Sequence, residues 1–177
     1  MATVSRVLND DPAVAGDTRE NVLRVIAQVG YAPNALGRSL RKNSTRRILL
    51  LLPSISHEFL SGVARGAERA AFRRGYQIVC SVTHSNPDLE REYVKMLIQR
   101  SVDGILFTSS CLPASELSDI SAHYPAVMCS GRVEGAKLPY VGIDDEQAAY
   151  EVTRYLAMGG CRRIAIIVHP EDYPSRQ

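Results

Sequence analysis

Apolar residues in this chain recur first at helical spacing and then in continuous runs, and the change divides it. Val4, Val7 and Leu8 lie at i, i+3 and i+4, which predicts a short helix with one apolar side. Thr3, Ser5, Arg6 and Asn9 occupy its other side. Asp10-Asp11-Pro12 ends it, because acidic turn residues and proline disfavour continuation. Val22, Leu23, Ile26 and Val29 predict a second helix from about Asp17 to Val29, closed by Gly30 as a C-cap. Asp17 can serve in part as its N-cap. The next piece, Ala35–Lys42, is short, basic and interrupted by Gly37, and makes a poor helix on its own.

From residue 48 the pattern alternates between strand and helix. Ile48–Leu52 is a run of five aliphatic residues stopped by Pro53, as in a strand buried on both faces. A helix with Phe59, Val63, Ala67 and Ala70 on one side follows, ending near Gly75. Its Gly62 and Gly66 read as a close-packing pair rather than a phosphate cradle. Strands are expected at Gln77–Val82, Asp103–Thr108, Ala126–Ser130, Tyr140–Ile143 and Arg163–Val168. Helices are expected after Asn86-Pro87, around Ser115–Ala122, and after Asp144-Asp145. Such alternation implies a parallel sheet with helical crossovers, and about 130 residues suffice for one core of that kind.

Charge sharpens the division. The formal net charge is only +2. Yet residues 1–47 hold eight Lys/Arg against four Asp/Glu, and residues 33–47 hold Arg38, Arg41, Lys42, Arg46 and Arg47 with no acid. A basic arm beside a helix carrying Thr, Ser, Arg and Asn is the electrostatic footprint of a DNA-binding segment. A solvated basic linker is the plainer alternative, and the two are compatible, since an arm disordered alone can fold on DNA.

Thr3–Asn9, then Thr18-Arg19, then Gly30-Tyr31, Pro33-Asn34-Ala35 and Arg38-Ser39-Leu40 resemble the LacI family of bacterial transcription repressors in order and spacing. The resemblance runs through essentially the whole chain. It implies an α/β architecture: a partial helix-turn-helix (1–32), a hinge helix or linker (33–46), and one lobe of a periplasmic-binding-protein-like parallel core (47–177). By the same resemblance Ala2 and Arg6 take base-reading positions. Thr3, Ser5, Asn9 and Thr18 take phosphate-facing ones. Asn34, Arg38, Leu40 and Arg41 belong to a minor-groove hinge in which Leu40 wedges between base steps. Effector-binding positions would be Phe59, Ser109, Ser110, Arg132 and Asp144, with core packing the alternative for Phe59 and helix capping for Asp144.

The family usually begins with a further helix and has an N-capping serine where Ala15 stands, so the resemblance implies a chain truncated at both ends, without the second lobe. The partners it implies are near-palindromic operator DNA, a small-molecule effector of the sugar or nucleoside class, and a second copy in a homodimer. Spacing around Leu138-Pro139-Tyr140 and His169–Pro174 is closest to the cytidine repressor branch, which would mean a nucleoside effector.

Other chemistries find little support. Cys80, Cys111, Cys129 and Cys161 are far apart with no C-x-x-C, so the expectation is reduced, buried thiols in the cytoplasm rather than structural zinc. No apolar stretch has membrane-spanning length, and neither a nucleophile elbow nor a P-loop occurs. No cofactor and no catalysis are therefore expected. The alternative function is a stand-alone small-molecule binding module, with a doubly wound enzyme third.

Overall fold

The leucine run forms β1 (Arg47–Leu52), an inner strand of a five-stranded sheet. With β2 (Gln77–Val82), β3 (Gly104–Phe107), β4 (Ala126–Cys129) and β5 (Tyr140–Val141), the order is β2-β1-β3-β4-β5, and every neighbouring pair is parallel. This computed structural model describes residues 2–8, 10–31 and 44–167. The chain divides into two compact units, 1–43 and 44–177.

Register explains why the leucines are needed in the second unit. Leu49 stands beside Ile105 and Ile105 beside Ala126; one pleat further, Leu51 pairs with Phe107 and Phe107 with Met128. These rows face one side and pack with Val94 and Leu97 of α4 (Pro87–Ile98) and Leu117 and Ile120 of α5 (Ala114–His123). Leu50 and Leu52 take the alternate positions and are equally buried, towards α3 (Glu58–Phe72), which packs across β1 and β2. Each such side chain contributes about 1.5–3 kcal/mol when fully buried.

Local signals place the helices. Asn86 Oδ1 accepts hydrogen bonds from the Asp88 and Leu89 amides at 2.9 and 3.2 Å, and Pro87 starts the first turn of α4. Asp144 Oδ1 accepts from the Gln147 amide at 2.9 Å and caps α6 (Asp145–Met158). At the amino edge of the sheet Asp103, just before β3, gathers the incoming chain. Its carboxylate accepts from Ser44 Oγ, Thr45 N, Thr45 Oγ1 and Arg46 N. Burial alone would raise its pKa, but the hydrogen bonds from Ser44, Thr45 and Arg46 outweigh that and hold it below the ordinary carboxylate value.

The structure corrects several expectations. The inward side of α3 runs through Leu60, Val63, Ala67 and Ala71, about one position round from the Phe59–Ala70 stripe; Phe59 is 52% exposed. A Cβ at Gly66 would meet nothing within 4 Å, so Gly62 and Gly66 do not mark close packing. Residues 161–167 form no strand and are exposed, whereas the sequence predicts one at Arg163–Val168. An apolar run becomes a strand only against a matching edge, and β5, the edge strand nearest it in the chain, offers two residues. Val168 lies outside the described residues. Cys80 and Cys161 are exposed rather than buried.

In the first unit, α1 (Ala2–Leu8) and α2 (Gly16–Val29) pack around Val7, which is 2% exposed. Arg19 secures the turn between them: one guanidinium nitrogen donates to Asp10 Oδ1 and the other to the Asp11 carbonyl, both at 2.7 Å. Val22 and Ile26 are half-buried, while Leu23 and Val29 are exposed. The N-cap of α2 is Ala15, with no side-chain bond; Asp17 lies inside the first turn and does not cap. Gly30 takes φ +60 and closes α2 in the left-handed region, its amide donating to Ala27 and that of Tyr31 to Ile26.

Candidate functional site

Two places carry chemistry, one in each unit. In the first, α1 buries Val7 and leaves Thr3 and Arg6 exposed, with Val4, Ser5 and Leu8 half-buried. The Arg6 side chain is 65% exposed, and its ion-pair contact, Nε to Asp11 Oδ2, is long at 3.8 Å. A pair that exposed and that long holds the guanidinium weakly, so Arg6 can exchange it for a guanine edge or a phosphate. Thr18 is exposed on the first turn of α2. Ala2 opens α1. Asn9, Asn34, Arg38, Leu40 and Arg41 lie outside the described residues.

In the second unit a cleft of about 390 Å³ opens at the carboxyl ends of the strands, the place where open α/β sheets receive ligands. Its walls come from four connections. The β1–α3 loop supplies Pro53 and His57, and the start of α3 supplies Phe59 and Leu60. Thr108 and Ser109 follow β3, Ser130 to Arg132 follow β4, and Tyr140 and Asp145 complete the rim. Thr108 is locked by a 3.0 Å bond from its hydroxyl to the Leu51 carbonyl, and its own carbonyl accepts the Gly131 amide at 2.8 Å. That approach requires glycine: a Cβ at Gly131 would stand 3.1 Å from the Thr108 oxygen. Tyr140 donates its hydroxyl to the Ser130 carbonyl at 2.9 Å, and the Arg132 guanidinium lies 5.8 Å from the centre of the Tyr140 ring. The result is a pocket with an exposed aromatic face at Phe59, hydroxyls, and one arginine steadied on a ring.

Of the residues singled out from sequence, Phe59, Ser109 and Arg132 line this cleft. Ser110 does not. It is 3% exposed and donates its hydroxyl to the buried carboxylate of Glu90, which also accepts the Cys111 amide. Its hydrogen bond to the buried Glu90 holds Ser110 in the interior, away from the cleft that Ser109 lines. Asp144 is the helix cap, and its neighbour Asp145 reaches the rim. Sequence reasoning missed Ser130 and Tyr140; the signal available was Ser130-Gly131 directly after a predicted strand.

Fold and site together define a helix-turn-helix segment followed by a periplasmic-binding-protein-like lobe. Residues 45–174 match the family described as periplasmic binding proteins and sugar binding domain of LacI family, and residues 1–34 match bacterial regulatory proteins, lacI family. The chain belongs to the LacI family. It is 36% identical over 173 residues to the HTH-type transcriptional regulator RegA of Clostridium saccharobutylicum, covering 97% of this chain and 52% of that protein. It is 33% identical over 174 residues to the HTH-type transcriptional repressor CytR of Escherichia coli (strain K12), covering 98% and 51%. The fold is also that of the lac repressor dimer bound to operator and the anti-inducer ONPF, with TM-score 0.80, 22% identity, and coverage of 93% of this chain and 50% of that one. The chain spans about half the length of the curated relatives it matches.

Among the described residues no helix is long and apolar enough to cross a membrane. No group of three or more His, Cys, Asp or Glu among them could hold a metal ion.

Proposed function

We propose that this chain reads near-palindromic operator DNA with α1 and the basic linker, and takes a small effector of the sugar or nucleoside class in the cleft. It would do so as part of a homodimeric, cytoplasmic transcription repressor. The observation that carries this reading is an exposed Arg6 on a helix whose opposite side buries Val7, within the segment that matches bacterial regulatory proteins. The names of RegA and CytR support a regulatory role, and the family description of residues 45–174 supports a sugar-like effector.

The roles follow from chemistry. Arg6 reads a base edge, with Ala2 offering at most a contact to a thymine methyl. Thr3, Ser5, Asn9 and Thr18 hold phosphates. Asn34, Arg38, Leu40 and Arg41 act in the linker, whose end we place at Asn43 because Asp103 binds the chain from Ser44 onward. In the cleft Phe59 stacks on a ring, while Ser109, Ser130 and Arg132 bond its hydroxyl groups. Effector binding changes operator affinity through a coupling free energy of about 1–3 kcal/mol.

Selection of bound duplexes from a random pool tests the reading. The expected result is a two-fold-symmetric consensus for the parent chain and relaxed preference at one base position for Arg6→Ala, worth about 1–3 kcal/mol. A pool that emerges without enrichment would exclude sequence-specific reading.

A further inference from the structure

The second unit carries a basic patch at the amino edge of its sheet, opposite the end that holds the cleft. Arg46 precedes β1 and Arg47 begins it, while Arg73 and Arg74 follow α3 just before β2. All four are exposed. Arg46 lies against the end of α3: its guanidinium donates to the Arg74 carbonyl at 3.3 Å and lies 5.5 Å from the centre of the Tyr76 ring, its carbonyl accepts the Gln77 amide at 2.8 Å, and the Arg74 guanidinium donates back to the Ala70 carbonyl at 3.3 Å. Arg47, in the row of Leu49 and Leu51, belongs to the other face of the sheet. Among the described residues none of the four is ion-paired with a carboxylate. Asp103, the carboxylate on this edge, is occupied by Ser44, Thr45 and the Arg46 amide.

Two features show that this arrangement is held rather than incidental. Arg46 takes φ +57, a conformation that side chains other than glycine adopt at a cost, and Asp103 is what fixes it there. The guanidinium is then steadied on Tyr76, with donors left over. Three arginines beside the single carboxylate of Asp103 leave this edge net positive, which favours an external anion.

We propose that Arg46, Arg73 and Arg74 form a phosphate-binding surface for duplex DNA, in addition to α1 and the linker. Continuity with the linker selects this partner. Arg46 follows Lys42 by four residues, and four residues of chain reach at most about 14 Å. Phosphates of a duplex engaged at Lys42 therefore lie within the range of this edge. The inference rests on the DNA-binding reading above and adds a second, sequence-independent contact to it.

The test is the salt dependence of binding of the 177-residue chain to a 30-bp random-sequence duplex, followed by fluorescence anisotropy. Arg73→Gln alters a side chain with no hydrogen bond or ion pair to the other described residues, and the pair Arg73→Gln/Arg74→Gln removes two charges. The slope of log Kobs against log salt should fall in magnitude by about 1 for the single variant and about 2 for the pair. The loss should be the same for duplexes of any sequence. Should the pair fold poorly, the single variant decides. Salt-dependent binding by the parent chain with unchanged slopes in the variants overturns the patch, leaves the DNA reading intact, and points to an acidic protein on this edge. Absence of salt-dependent binding by the parent chain overturns both.

Discussion

Asp103 shows how much one side chain can decide. Its carboxylate collects four donors from Ser44, Thr45 and Arg46, and its pKa lies below the ordinary value because these bonds favour the charged form. A depressed folded-state pKa stabilises the fold above the unfolded-state pKa of about 3.9, and that contribution is lost as pH falls through the folded value. Asp103→Asn should therefore lower stability by about 1 kcal/mol at pH 7, solvent screening reducing the value of such bonds at an accessible site, and by progressively less as pH falls below the unfolded value, in urea unfolding across that range. Equal losses throughout would mean that the carboxylate charge is not what binds residues 44–46. The sequence alone does not reveal this clamp. Asp103 is legible as the residue before a strand, but its partners lie 57 to 59 positions away. Ser110 teaches the same lesson. Its type and place after β3 suit a ligand contact, and only a buried Glu90 contributed by α4 draws it inward.

At the scale of elements, helix starts and strand cores were legible because their causes are local. Asn86-Pro87 announces α4, and the bonds that Asn86 accepts from the Asp88 and Leu89 amides are the expected ones. Asn86→Ala should cost about 1 kcal/mol of unfolding free energy. A change under about 0.3 kcal/mol would show that tertiary packing alone holds that end. Phe107 sits at 0% exposure between Leu51 and Met128, so Phe107→Ala should destabilise the second unit by about 3–5 kcal/mol in the same measurement. Gly131→Ala should weaken effector binding more than it weakens the fold, because the new Cβ meets the Thr108 carbonyl in the cleft wall. Isothermal titration beside thermal melting separates the two effects. The side of α3 turned inward was not legible: Phe59 and Leu60 are equally apolar, and the sheet beneath decides which is buried. The failed strand at Arg163–Val168 has the same origin, since pairing depends on an edge that the run itself does not contain.

At the scale of the molecule, the two units differ in how much they bury. Among the described residues Val7 is the one fully buried hydrophobic side chain in residues 1–43, whereas residues 44–177 hold a continuous core along four strands and two helices. Amides of α1 and α2 should exchange with solvent faster than those of β1 and β3. Duplex DNA should slow the first set, and effector should slow exchange around the cleft. Uniform exchange across both units would contradict this division.

The sequence by itself determined the existence of both units, the helix starts, the parallel strands and the basic arm, because propensity, capping and hydrophobic period act over a few residues. It also held enough family pattern to predict what the cleft and α1 are for. Only the tertiary structure decided which hydroxyls face the cleft, which side of α3 is buried, and that Asp103 brings Arg46 beside Arg74. Those outcomes depend on contacts between residues far apart in the chain, and no local pattern encodes such a contact.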